Sequence, residues 1–193
     1  SMASDPGSPD WLDEVVPGPW LDGADWLFVS GYALLRAPDP GRIVALAGTA
    51  RAAGTRVAVD LASASIIEDY GGAAFRRLWR SLQPAVVLAN DQEWAASNLG
   101  RDISPAPPFG AGGTSVLVLK HGPDGCTFVI DGVADDRKPV PGPVRDVTGA
   151  GDSLAAGFLV GGADLAMQTA ARCIAHVGAQ PHNGLHEARE GLA

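Results

Sequence analysis

The segment Arg145-Asp146-Val147-Thr148-Gly149-Ala150-Gly151-Asp152-Ser153-Leu154-Ala155-Ala156-Gly157-Phe158-Leu159 holds the residue types best suited to chemistry. Leu154 and Phe158 are four apart, as are Ala155 and Leu159, so the stretch after Asp152 reads as a buried helix. Gly149-Ala150-Gly151 then falls at the mouth of that helix. The first turn of a helix has N–H groups without intrahelical partners, and the aligned peptide dipoles add partial positive charge there. Small residues let an anion come close to that backbone. Asp152, at the helix start, stands where a base could take a proton from a hydroxyl attacking a phosphate. The plainer reading of so short a tetrad is a glycine-rich loop before an ordinary helix, with Asp152 complementing the dipole.

The preceding chain must position this segment. Trp26–Ser30 is a short apolar run closed by Gly31 and reads as a buried strand. Ile43, Ala47 and Ala50 repeat at helical spacing after a loop marked by Pro38 and Pro40, and Gly54 is the stop. Arg56–Leu61 is the next strand. Ile67, Tyr70, Ala74, Leu78 and Leu82 lie on one face of a helix that Pro84 ends. Ala85–Ala89 is a third strand, leading into Asn90-Asp91-Gln92-Glu93 and a short helix to about Leu99. Strands that are continuous apolar runs and alternate with helices suit a parallel sheet covered on both faces. Ligands gather at the carboxyl ends of such strands, where Asp60 and Asn90 both fall.

Residues 101–113 read as a Pro- and Gly-rich surface loop. Strands follow at Ser115–Lys120, at Cys126–Ile130 and from Val133 to about Val140, an antiparallel edge on the parallel sheet. Beyond the opening segment, Ala166, Ala170, Cys173 and Val177 form a last apolar stripe ending at Gly178, and the tail from Pro181 is polar.

The chain has 193 residues, enough for one domain with a substantial core. Hydrophobic residues make up 46% and charged residues 19%, a globular rather than a disordered composition. Fourteen basic against 22 acidic side chains give a net charge of −8, which argues against a general nucleic-acid or anionic-membrane binder. Cys126 and Cys173 stand far apart with no metal spacing, and a reduced, cytoplasmic setting is the simplest reading. There is no run of about eighteen apolar residues and no apolar signal core, so no membrane span is expected. Ser1-Met2 looks like a cloning remnant. Residues 1–19 read as a flexible proline-rich lead-in, and the natural protein is expected to begin earlier or to have been shortened.

Three further groups of residues have local readings. Asn90-x-x-Glu93 is a capping box, with Asn90 as N-cap and Glu93 at the third helical position. Lys120-His121-Gly122-Pro123-Asp124-Gly125 is a hairpin turn, with Lys120 either a solvated strand-end lysine or a charge offered to phosphate. Asp146 and Thr148 stabilise their loop through Asx- and ST-type hydrogen bonds.

The string D-V-T-G-A-G-D-S-x-x-A-G-F at 146–158 closely resembles the C-terminal signature of the ribokinase-like (PfkB) carbohydrate kinases. The likeness extends from about Trp26 to Gln180. It implies a ribokinase-like three-layer α/β sandwich over residues 20–193, the ATP-binding and catalytic part. The activity it implies is phosphoryl transfer from ATP to a hydroxyl of a sugar or nucleoside. Asp152 would be the general base and a contact to the substrate. The Gly149, Ala150 and Gly151 amides would form the anion hole. Asn90 would help hold phosphate, and Glu93 would act through water on Mg²⁺, which prefers oxygen ligands and keeps several waters. Gly122 and Gly125 would give room beside the ribose and phosphates. Asp60 matches an acidic crevice position for substrate, with a turn-forming role as its alternative.

In the family, residues matching Asp146 and Thr148 often help hold a monovalent cation such as K⁺. Carbonyls of a later loop assist, here His176-Val177-Gly178-Ala179-Gln180. His176 itself reads better as a helix C-terminal histidine meeting the dipole. Family members also carry an N-terminal portion with a paired-glycine motif, sugar-contacting acids and a small β lid, which nothing before Trp26 matches. A lidless domain is therefore expected. A truncated, non-catalytic nucleotide-binding or regulatory module is the competing function. A dinucleotide-binding Rossmann domain is disfavoured, because the glycines come late and no βαβ unit with an acidic ribose partner follows. The acceptor is left open among pentose, hexose, sugar acid and nucleoside. A homodimer is the oligomer to look for, since the family's lid often forms that interface.

Overall fold

The computed structural model describes residues 18–97 and 116–179. The 101–113 loop, the polar tail, Gln180, Leu99 and the lead-in up to residue 17 lie outside the described residues. Six strands form one sheet in the order β1 (Trp26–Ser30), β2 (Arg56–Asp60), β3 (Val86–Asn90), β4 (Val116–Lys120), β5 (Cys126–Ile130) and β6 (Val133–Arg137). The sheet is mostly parallel with an antiparallel edge. β1 pairs with β2 and β2 with β3 in parallel, in registers that set Ser30 opposite Asp60 and Asp60 opposite Leu88. Asp60 and Asn90 therefore share the carboxyl end of the sheet, as the sequence pattern requires.

Two compact units can be distinguished, one containing residues up to 119 together with 129–135, the other containing 120–128 and the chain from 136. In the first, α1 (Gly31–Arg36), α2 (Pro40–Ala52), α3 (Ala64–Tyr70), α4 (Gly72–Ser81) and α5 (Asp91–Ala96) accompany the strands. Val57, Ala58 and Val59 are buried in succession, as are Val87, Leu88 and Ala89, so both faces of β2 and β3 are covered. Leu34, Ile43, Ile67, Phe75, Trp79 and Leu82 pack with Val57, Val59 and Val87 into one core. Each such large side chain contributes about 1.5–3 kcal/mol by leaving water.

Three local expectations need correction. β1 ends the strand order, and Phe28 on it is half-exposed rather than buried. The short helix α1 follows β1 directly, where the sequence showed only a closing glycine. The helix expected across Ile67–Leu82 is broken at Gly71 (φ 93°, ψ 110°). Past the break Phe75 and Trp79 are fully buried, Ala74 and Leu78 are partly buried with Leu78 packed against the core, and Tyr70 stays exposed.

In the second unit, α6 spans Ala150–Ile174 and leaves helical geometry at Gly161 and Gly162. Its halves fold back on one another. A Cβ on Gly157 would lie 2.8 Å from Ala166 Cα and 2.3 Å from Thr169 Oγ1. Thr169 Oγ1 donates to the Ser153 carbonyl at 2.7 Å across that contact. Among the described residues α6 is the one helix with the length and hydropathy of a membrane span. The break leaves segments of 11 and 12 residues, Ala150–Val160 and Ala163–Ile174, each short of the roughly 20 that a bilayer requires. Phe128 of β5 stacks on Phe158 of α6 with ring centroids 5.4 Å apart.

Candidate active site

The loop before α6 turns into the helix through Gly149, the N-cap, at φ 80° and ψ 1°. That left-handed geometry suits a residue without Cβ, and a Cβ there would also lie 2.7 Å from Ala179 Cβ. No side chain caps the helix. The Ser153 N–H donates to the Gly149 carbonyl at 2.9 Å and opens the α-helical ladder. The amides of Gly151 and Asp152 have no acceptor among the described residues. Ala150 departs from the expected trio of bare donors, because its N–H closes a turn onto the Val147 carbonyl at 3.1 Å. Asp152 stands in the first turn with its side chain exposed, so its carboxylate is open to a reactant rather than turned into the interior.

Asp146 ties this loop together. Its Oδ1 accepts from the Thr148 N–H at 2.9 Å and from Thr148 Oγ1 at 2.7 Å, while its Oδ2 accepts from the Gly178 N–H at 2.9 Å. The Asx- and ST-type bonds read from the sequence are thus formed, with a third bond to the 176–179 segment. The hydroxyl bond from Thr148, followed by the two backbone donors, holds the Asp146 carboxyl below the usual aspartate value of 3.8. A depressed carboxyl stabilises the fold fully above its unfolded value, and that stability is lost as pH falls through the folded value. Asp146→Asn is therefore expected to flatten the acid limb of an unfolding-midpoint-versus-pH curve below about pH 4. An unchanged acid limb would mean that the ties carry no linkage.

The turn after β4 is tightly organised. Gly122–Asp124 forms a single 3₁₀ turn, and the His121 N–H donates to the Gly125 carbonyl at 2.9 Å. Gly122 has open space where a Cβ would go, but a Cβ on Gly125 would lie 2.0 Å from the Arg137 carbonyl oxygen. The room at Gly125 is taken by the protein's own backbone. Thr127 Oγ1 donates to Asp136 Oδ1 at 2.6 Å, so His121 Nε2, 2.9 Å from the same hydroxyl, must be its donor. Sequence reasoning missed this Asp136–Thr127–His121 chain, since residues on adjacent strands meet only once the hairpin register is known. Lys120 is half-buried. Its Nζ lies 3.5 Å from where a Gly151 Cβ would stand.

In the first unit, the Glu93 N–H donates to Asn90 Oδ1 at 2.9 Å, and the Asn90 N–H donates to Glu93 Oε2 at 2.8 Å. The capping box is complete, and Glu93 is buried. Asn90→Ala is expected to cost about 1 kcal/mol, read as a lower denaturation midpoint. Glu93→Gln keeps an acceptor for the Asn90 N–H and should cost less than Asn90→Ala. The reverse order would show that the Glu93 charge, not the cap, carries the stability. Asp60 is buried, and its Oδ1 accepts from the Ala62 N–H at 3.3 Å, the turn-forming bond of its alternative reading. Among the described residues no group of three or more His, Cys, Asp or Glu side chains could cage a metal. A magnesium ion carried on nucleotide phosphates needs no such cage. The cap draws on Glu93 Oε2.

No curated protein sequence matches the chain. Its structure is similar to a probable sugar kinase from Rhizobium etli CFN 42, with a TM-score of 0.75 and 23% identity over 91% of this chain and 56% of that one. It is similar to the adenosine kinase from Sinorhizobium meliloti, with a TM-score of 0.73 and 26% identity over 92% and 57%. A fructokinase double mutant from Vibrio cholerae O395, in a form binding fructose, ADP and potassium, gives a TM-score of 0.65 and 18% identity over 82% and 56%. The chain thus spans less than two thirds of the length of these neighbours. The family model for pfkB carbohydrate kinases matches residues 2–180. The chain belongs to the pfkB family of carbohydrate kinases.

Proposed function

We propose that this chain is the ATP-binding and catalytic part of a kinase that transfers a phosphoryl group to a hydroxyl of a sugar or nucleoside. The observation that carries this reading is the exposed Asp152 in the first helical turn, beside two amides without acceptors among the described residues. Asp152 accepts the proton of the acceptor hydroxyl as that oxygen bonds to the terminal phosphorus of ATP. The bond from phosphorus to the ADP oxygen breaks in the same displacement. The Gly151 and Asp152 amides meet charge on the transferred group, and the helix dipole adds to them. Phosphoryl transfer asks mainly for positioning and charge stabilisation, which so few groups can supply.

Magnesium, when bound with the nucleotide, supplies charge neutralisation on the phosphates, with Glu93 its water-mediated partner and Asn90 a phosphate contact. Asp60 is the substrate-side candidate. The neighbours that bind ADP with potassium, or that act on adenosine, support a nucleotide and a small hydroxylated acceptor.

The test is calorimetry with Mg²⁺–ATP, run beside a coupled assay over pentoses, hexoses, sugar acids and nucleosides. Nucleotide binding with turnover on one acceptor class is the expected result. Nucleotide binding without turnover on any acceptor would leave a nucleotide-binding module, and no nucleotide binding would overturn both readings.

A further inference from the structure

Among the described residues no group bonds the Asp152 side chain, so the carboxylate is placed by the backbone of its own helical turn. That turn, in turn, is tied to the second half of α6 and the segment after it. The Arg145 N–H donates to the Ile174 carbonyl at 2.7 Å, and the Asp146 N–H donates to the same oxygen at 3.3 Å. The Cys173 thiol donates to the Thr148 carbonyl at 3.4 Å, and the Gly178 N–H reaches Asp146 Oδ2 at 2.9 Å. Nearer the fold-back, Thr169 Oγ1 donates to the Ser153 carbonyl at 2.7 Å. The loop and the first turn are thus laid along one helix, and Thr169 supplies the tie next to Asp152.

That bond competes with an ordinary one. A hydroxyl has one proton to donate. A threonine inside a helix can give it to the carbonyl three or four residues back. Here those carbonyl oxygens, of Leu165 and Ala166, lie at 2.9 Å and 3.0 Å, and the Ser153 oxygen across the fold-back is nearer. Gly157 makes the crossing possible. A Cβ there would lie 2.3 Å from Thr169 Oγ1 and 2.8 Å from the Leu165 carbonyl oxygen, so any larger residue would hold the two halves apart. Ser153 directly follows Asp152, and the bond therefore acts one peptide from the carboxylate's own backbone.

We propose that Thr169 is a positioning residue for Asp152, its hydroxyl holding the first turn of α6 where the carboxylate meets the acceptor hydroxyl. The proposal rests on the reading of Asp152 as the general base. A nucleotide can follow a small shift of the turn, because its phosphates are held by amides that move with the turn. The acceptor hydroxyl has no such freedom, since it must meet the carboxylate and the phosphorus together. Misplacement by about 1 Å in such an arrangement costs up to about a hundredfold in rate. Loss of the tie should therefore appear in turnover and not in nucleotide affinity.

The experiment measures kcat by coupled assay and Mg²⁺–ATP affinity by calorimetry on the unaltered chain, Thr169→Val, Thr169→Ser and Asp152→Asn. Thermal unfolding of each variant sets an assay temperature well below every midpoint, so that all are fully folded. Thr169→Val keeps the shape and removes the donor. It is expected to lower kcat by roughly tenfold to a hundredfold with ATP affinity unchanged. Thr169→Ser keeps the donor and should turn over within about twofold of the unaltered chain. Normal turnover by Thr169→Val beside a slow Asp152→Asn overturns the role of Thr169 and leaves the base standing. Parallel losses of kcat and ATP affinity in Thr169→Val overturn it too, since they mark a merely structural bond, as does a Thr169→Ser variant as slow as Thr169→Val. If Asp152→Asn turns over normally, the base reading falls and this proposal falls with it.

Discussion

Asp152→Asn is expected to lower kcat by about 10²–10⁴-fold, the share that a positioned general base supplies. In free energy this is roughly 2.7–5.5 kcal/mol of barrier. The substitution preserves volume and leaves an acceptor oxygen, but an amide cannot take the hydroxyl proton. Binding should move the other way. Asp152 stands in the same turn as the amides that would meet phosphate, and it repels an incoming polyanion. Removing its charge should leave Mg²⁺–ATP affinity equal or tighter. A small loss of fold stability should accompany this, about 0.3–1 kcal/mol, because an acid in the first turn complements the dipole. Slow turnover with undiminished nucleotide binding is the pattern that separates a base from a binding residue. A variant that turns over normally would remove Asp152 from the chemistry. One that binds ATP more weakly would make it an electrostatic or structural residue instead. The coupled assay, with whichever acceptor the substrate panel identifies, reads the first quantity and calorimetry reads the second.

The parts of the site legible in the sequence are those whose geometry is local. Asn90 and Glu93 are three apart, and a capping box needs nothing beyond that spacing and a helix start. Asp146 reaches Thr148 two residues on, so their bonds could be read from residue types alone. The strands β2 and β3 announced themselves as unbroken apolar runs because both of their faces are covered. What was hidden depends on distant segments meeting. The approach of Lys120 to Gly151 joins residues 31 positions apart, and no local spacing gives it. The Thr127–Asp136 bond needs the register of the β5–β6 hairpin. The apolar spacing through Ile67–Leu82 persisted across Gly71, so periodicity saw one helix where the backbone makes two. A side-chain pattern records which face is wanted, but it does not record a rotation introduced between two segments that both want it.

Gly125 has a backbone reason for being glycine beside the one that the family resemblance implies, and the difference is measurable. The family resemblance assigns Gly122 and Gly125 to space for a nucleotide. In the structure Gly125 has φ 111° and ψ −140°, backbone that L side chains rarely adopt, and its missing Cβ faces the Arg137 carbonyl at 2.0 Å. Gly122 has φ 57° with nothing within 4 Å of a built Cβ. Gly125→Ala therefore combines backbone strain with a contact that cannot exist, and one strand must move away from the other. A loss of about 3 kcal/mol or more is expected. For a chain of this size that lowers the thermal midpoint by roughly 6–12 °C. Gly122→Ala meets only the left-handed penalty, about 1 kcal/mol, or roughly 2–4 °C. Nucleotide binding should rank the pair oppositely. Alanine at 122 projects into open space beside the turn, so it is the substitution that should obstruct a bound nucleotide. Folded Gly125→Ala protein, assayed well below its midpoint, should bind nearly as the unaltered chain does. Calorimetry and thermal unfolding on the two variants decide the matter. Equal midpoints with nucleotide affinity lost only in Gly125→Ala would return Gly125 to the ligand, and with it the family's explanation for the paired glycines.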